Sequence, residues 1–265
     1  MIGLYKRDYF KLEPEEIEEK EKIDSERSSE NKFGKISNFR RYPAAIRHNQ
    51  SLFPNNYMDI VNLKNEEMIS KQCEDFLALL NDKSITELDI KHFIQNNEYY
   101  HIPASIMKDS GYSFGHHDAF VFKEFSLGTS YVADYVLVGL SSDGYKFIFV
   151  EFENPYNNVT TKNGEFGTTI RKGLSQVDDW KRFIESNYFS IGTEFKKYTK
   201  NNLPDEFFIY DSTRINYVVV AGRRADFKEK TYMLKRELEQ DKNIKLYHYD
   251  NLYDISVNAI GSNTY

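Results

Sequence analysis

The stretch YVADYVLVGLSSDGYKFIFVEFE, residues 131 to 153, decides how this chain is read. Val and Tyr dominate residues 131 to 140, Ser141-Ser142-Asp143-Gly144 is a turn signal, and residues 145 to 153 form a second β-rich run, so the pattern predicts a β-hairpin. Its body is apolar, yet Asp134 interrupts the first strand and Glu151 and Glu153 close the second. Strands seldom carry charge at such places without a reason. A four-residue loop pairs Leu140 with Tyr145 and sets Asp134 opposite Glu151. A two-residue turn at Asp143-Gly144 instead sets Asp134 opposite Glu153. Both registers put the three carboxylates on one side of the sheet, because residues two apart share a face.

Acids gathered within about 5 to 8 Å of one another repel unless a cation neutralises them or a proton is retained. A divalent ion is the simplest remedy. Oxygen donors without paired His or Cys select a hard ion such as Mg²⁺ (or Mn²⁺), which binds phosphate oxygens readily and supports phosphodiester hydrolysis. Two other readings of the same acids stay open. They could be strand-end or edge charges paired with Lys or Arg, or a glycosidase pair, although nothing flanking the hairpin resembles a sugar platform.

Outward from the hairpin, residues 118 to 126 alternate as a preceding strand, and before them Met68, Cys73, Phe76, Leu77 and Leu80 recur at helical spacing. Ile90, Phe93 and Ile94 suggest a second helix. After the hairpin, residues 168 to 186 put Ile170, Leu174, Val177 and Ile184 on one helix face, with Lys172, Gln176 and Trp180 on a neighbouring stripe. Residues 215 to 221 read as a buried strand, 227 to 240 as a helix and 244 to 249 as a strand, followed by a short last helix. This order predicts an α/β fold with a central mixed β-sheet flanked by helices.

The chain has 265 residues, a formal net charge of -6 and one cysteine, Cys73. Residues 13 to 30 hold eight Glu and one Asp against two Lys and one Arg, which accounts for the whole excess and leaves the rest neutral. A neutral body still accommodates a local basic groove for nucleic acid. No run approaches the roughly 18 apolar residues of a membrane span, and the N-terminus lacks a secretory apolar core, so the expected setting is cytoplasmic and reducing. Residues 1 to 60 read as a charged N-terminal arm that regulates access or assembly, and residues 61 to 265 as the functional domain. His116 and His117 fit a loop or strand entry better than a metal site, because neighbours in a strand point to opposite faces. No phosphate-cradling glycine loop is present.

An acid in one strand, a tight turn, a strand ending Glu151-Phe152-Glu153, and a helix bearing Gln176-Val177-Asp178-Asp179-Trp180 resemble the PD-(D/E)XK nuclease superfamily. Adding Asn154-Pro155, the strand Tyr217-Val218-Val219-Val220-Ala221 with Gly222-Arg223, and Tyr247-His248-Tyr249-Asp250-Asn251-Leu252, the chain resembles the Shedu family of phage-defence nucleases over about residues 65 to 255. The resemblance implies a restriction-endonuclease-like core, a Mg²⁺- or Mn²⁺-dependent endonuclease acting on DNA, and homo-oligomers. It implies that Asp134, Glu151 and the Phe152 carbonyl hold the metal, that Glu153 orients or deprotonates water, and that Gln176 positions water or phosphate. Lys172 then offsets phosphate charge. Arg171, Lys172, Lys181 and Arg182, with Arg223 and Arg224, are read from the residues as candidate contacts to a nucleic-acid backbone, and scattered surface charge explains them equally well. Position 153 departs from the family pattern, which usually has Lys there. That leaves three outcomes open: Glu153 as ligand or base, a cation from the helix such as Lys172, or a descendant that binds without cutting.

Overall fold

A computed structural model describes residues 6–27, 39–109 and 118–265. The hairpin forms as expected from β2 (Tyr131–Ser141) and β3 (Gly144–Phe152), preceded by β1 (Ala119–Leu127). Leu140 pairs with Tyr145 and the ladder runs on to Ser141 and Gly144, so the first of the two registers holds and the turn is shorter than the four residues expected. Gly144 sits at φ 93°, a conformation that L side chains avoid. β4 (Ile215–Val220) and β5 (Ile244–Tyr247) add in parallel on the far side of β3, giving the order β1-β2-β3-β4-β5. The sheet is therefore mixed, antiparallel in its first half and parallel in its second.

Side-chain alternation divides the core into two layers. Val136, Val138, Phe147, Phe149 and Val219 face one side, where α6 (Thr168–Lys196) supplies Ile170, Val177, Trp180 and Ile184. Tyr135, Leu137, Ile148, Val150 and Val218 face the other. There they meet α3 (Glu66–Leu80), α4 (Glu87–Asn97), the short α5 (His101–Ala104) and α8 (Tyr249–Asn258). α7 (Glu229–Lys242) joins β4 to β5 and packs Leu238 on the α6 side. α6 runs ten residues beyond its predicted end, through a kink at Asn187. Among the described residues, no helix is long and apolar enough to cross a membrane.

The acidic block forms a helix, α1 (Pro14–Arg27), and α2 (Ala44–Gln50) follows it. Ile23, Tyr42 and Ile46 make a small apolar contact between the two. The end of the segment read as an arm is instead part of the main core. Phe53 is wholly buried and meets Phe120, Phe122, Phe195 and Phe207 at centroid distances of 5.0 to 6.0 Å. Tyr57 bridges to Phe120, and Asn56 donates to the Val121 carbonyl. Phe120 and Phe122 of β1 take the Phe53 ring edge-to-face.

Phe53→Ala is expected to lower unfolding free energy by about 3–5 kcal/mol, the usual cost of emptying a buried aromatic site. Ile17→Ala, on the exposed side of α1, should change it by no more than about 0.5 kcal/mol. Urea unfolding of the two variants checks both values.

Candidate active site

The carboxylates gather where β2 and β3 part. Asp134 breaks the ladder on both sides: its neighbours Lys123–Tyr135 and Phe125–Ala133 pair with β1, while Glu124 opposite it adopts φ 49°. The pairing with β3 stops at Tyr135 and Val150, and the Asp134 side chain takes the place of the next rung. Its Oδ2 accepts the Phe152 backbone N–H at 2.8 Å. Continuing the register brings Asp134 opposite Glu151, and Glu151 and Glu153 continue the alternation of Phe147 and Phe149 toward the α6 side, whereas the alternation breaks at Asp134, whose neighbour Ala133 lies in the same core layer as Val136. The three are buried. Glu153 extends β3 by donating its N–H to Val220, and its carbonyl accepts from the buried Tyr249 hydroxyl. The site thus lies at the carboxyl end of the parallel strands, where ligand sites of open α/β sheets occur.

Two lysines from different layers enter it. Lys91, on α4, donates to Asp134 Oδ1 at 2.7 Å, and Lys172, on α6, donates to Glu153 Oε2 at 2.9 Å. Sequence reading included Lys172 and missed Lys91, because nothing in α4 says which side chain reaches a strand more than forty residues on. It also missed Glu87 in the first turn of α4, after a capping box of Thr86 and Asp89. Its charge acts on Asp134, Glu153 and both lysines, and Asn154 donates to it at 3.4 Å. The one signal available was the cap itself, which fixes where that helix begins.

Burial raises the pKa values of Asp134 and Glu153, and their lysines oppose the shift. Glu151 has no lysine partner. Burial, then the charges of Asp134 and Glu153, push its carboxyl up to about 9, so at neutral pH it holds a proton. Lys91 and Lys172 are each shifted downward by burial and upward by the acids, and the acids prevail.

The expected cage of three acids is not assembled: among the described residues, no group of three His, Cys, Asp or Glu side chains is placed to hold a metal ion. Lys91 and Lys172 instead occupy Asp134 Oδ1 and Glu153 Oε2 as ion-pair partners. What fits a hard cation is the donor chemistry. Glu151 Oε2 and Glu153 Oε1 are buried oxygens without a hydrogen-bond partner, and Mg²⁺ needs only one or two protein carboxylates when water and phosphate complete its shell.

The remaining expected residues separate. Gln176 is half-buried one turn beyond Lys172, whereas Trp180 on the same stripe is wholly enclosed in the core. Arg171 is exposed beside Lys172. Lys181 lies about 13 Å along the helix from Lys172, where it donates to the Lys242 carbonyl and covers the Tyr217 ring. Arg182 pairs with Asp179. Arg223 is structural, holding Asp250, Tyr156 and the Leu80 carbonyl together. The segment containing His116 and His117 lies outside the described residues.

Gly173 explains how α6 comes close enough. A Cβ there would stand 2.8 Å from Val219 Cγ1 and 2.9 Å from Glu153 Cγ, so any side chain would push the helix away from the site.

Fold and site define an α/β protein with a buried carboxylate and lysine cluster at the carboxyl end of its central strands. The profile of Shedu protein SduA, C-terminal, matches residues 40–253, and the chain belongs to the Shedu family. That membership associates it with anti-phage defence. No curated protein matches the chain.

Glu151 fixes a pH dependence. A carboxyl whose folded pKa exceeds its unfolded value of about 4.5 contributes stability at low pH that is lost as pH rises toward about 9. Glu151→Gln should therefore gain on the parent protein between pH 5 and pH 8 by an amount on the order of a few kcal/mol, read from urea midpoints at the two pH values. Comparing variant with parent cancels the opposite slope from the buried histidines His101 and His248, both held neutral. Gly173→Ala should cost about 1–3 kcal/mol through overpacking, although Ala exceeds Gly in helix preference by about 1 kcal/mol. The same unfolding assay decides its sign.

Proposed function

We propose that this chain is a divalent-metal-dependent endonuclease of the PD-(D/E)XK type that hydrolyses DNA phosphodiester bonds in anti-phage defence. The observation that carries the reading is Glu151: a buried carboxylate at the carboxyl end of β3, beside two further acids, with one oxygen unpartnered and no cation of its own. Asp134 and Glu151, with the Phe152 carbonyl, are the residues that would hold Mg²⁺ or Mn²⁺. Bound there, such an ion supplies Lewis acidity toward a phosphate oxygen and lowers the pKa of water.

The protein's own groups have distinct tasks in this reading. Glu153, buried and tied to Lys172, is the base that orients the attacking water and takes its proton at Oε1. Lys172 is largely exposed, at 63% of its side chain, and offsets the charge of an incoming phosphate. It thereby supplies from the helix the cation that the PD-(D/E)XK pattern implies at position 153. Gln176 stands one turn on, positioned to orient water or phosphate. Arg171 extends the positive edge toward the nucleic-acid backbone, while Lys181 and Arg182 mark its far end. The site makes no use of Trp180.

A second reading has its own observation. Asp134 and Glu153 already carry lysine partners at 2.7 and 2.9 Å, as in a nuclease-like module that binds nucleic acid or a partner protein without cutting. Purified protein incubated with supercoiled plasmid in Mg²⁺ or Mn²⁺ separates the two. The endonuclease nicks the plasmid, Glu151→Gln lowers the rate by at least a hundredfold, and calorimetry shows Mn²⁺ binding that this variant loses. A parent protein that neither cleaves nor binds Mn²⁺ overturns the endonuclease reading.

A further inference from the structure

Both oxygens of Asp134 are engaged: Oδ2 accepts the Phe152 N–H at 2.8 Å, and Oδ1 accepts from Lys91 Nζ at 2.7 Å. The first contact stands in for a rung of the β2–β3 ladder and belongs to the fold. The second is an ion pair between layers, so Oδ1 is the oxygen that a metal ion would have to take. An ammonium and a divalent cation repel, and beside a buried carboxylate solvent screens that repulsion little. Lys91 and a metal therefore compete for Asp134.

Lys91 has a second acceptor on its own helix. Glu87 lies four residues earlier in α4, and that spacing, with the acid on the N-terminal side, makes the two side chains neighbours on the helix surface. Glu87 is half-buried, and among the described residues its side chain accepts only from Asn154 Nδ2, at 3.4 Å. Its charge already acts on Lys91 and on Asp134. Lys91 is free to turn, because 21% of its side chain is exposed and its four-carbon stem is flexible. Released into this corner without a carboxylate, the ammonium would be costly to hold. Glu87 removes that cost.

We propose that Lys91 gates metal loading of the carboxylate site, pairing with Asp134 in the metal-free protein and passing to Glu87 when a divalent ion takes Oδ1. Lys91 is then a positioning residue, which holds Asp134 ionised and in place before loading, while Glu87 sets how readily it lets go. The inference rests on the metal-dependent reading of this site.

The test is calorimetric titration of the full chain with MnCl₂, in the parent, Lys91→Met, Glu87→Gln and the double variant. Lys91→Met loses the competitor and should bind Mn²⁺ about tenfold more tightly or better. Glu87→Gln loses the alternative acceptor and should bind about fivefold more weakly, an effect that falls below about twofold once Lys91 is absent. Equal weakening in both backgrounds means that the Glu87 charge acts on the metal directly, and overturns the proposal. Lys91→Arg keeps the charge and serves where Lys91→Met does not fold. Its forked guanidinium holds a carboxylate harder and should weaken Mn²⁺ binding; unchanged or tighter binding there overturns the proposal. A parent that binds Mn²⁺ as tightly as Lys91→Met removes the gate and leaves the metal-dependent reading standing. Absence of Mn²⁺ binding by the parent and by Lys91→Met alike overturns that reading and the gate with it.

Discussion

Mutual repulsion among acids in a desolvated corner of the sheet is the constraint on which the rest of this structure depends. Asp134, Glu151 and Glu153 are each buried, and the charges of Asp134 and Glu153 act on Glu151, so the three cannot all stay ionised without counter-charge. The fold answers with one lysine from each helical layer and with a retained proton on Glu151. Each answer sets a requirement elsewhere. Lys91 needs α4 capped at Thr86 so that its register meets β2, and Lys172 needs α6 pressed against β4, which Gly173 permits.

The proposed function draws on the same arrangement. A neutral body with local positive charge on α6 tolerates a polyanion, and the acids sit at the carboxyl end of parallel strands, where backbone and helix ends leave room for a ligand. Glu153 nevertheless has a cation beside it, Lys172 from α6, with 63% of that side chain reaching solvent.

α4 has a further position of interest, since its two ends serve different places. Glu87 and Lys91 belong to the carboxylate cluster, while Glu98, just past its other end, pairs with Lys6 of the N-terminal segment. Eleven helical residues span about 16 Å, so one rigid element touches both. The N-terminal segment stacks Tyr9 on His48 and contributes Phe53 to the main core. It is joined to the domain rather than merely attached to it.

Local pattern alone determined the hairpin, the order of strands and helices, and the mixed sheet. These follow from periodicities of 2 and 3.6 and from turn chemistry, all written within a few neighbouring residues. It could not choose between two hairpin registers, because both keep the alternation. It placed Trp180 on a stripe with Lys172, since helical spacing gives direction but not depth of burial. It separated residues 1 to 60 from the domain because Phe53 and Tyr57 find their partners far along the chain, at Phe120, Phe122, Phe195 and Phe207. Only the tertiary structure decided that Lys91 pairs with Asp134, that Glu151 is left with its proton, and that Gly173 marks a close approach. Each of those is a contact between distant segments, and its energy depends on burial and on the charges nearby, which exist only once the layers have packed.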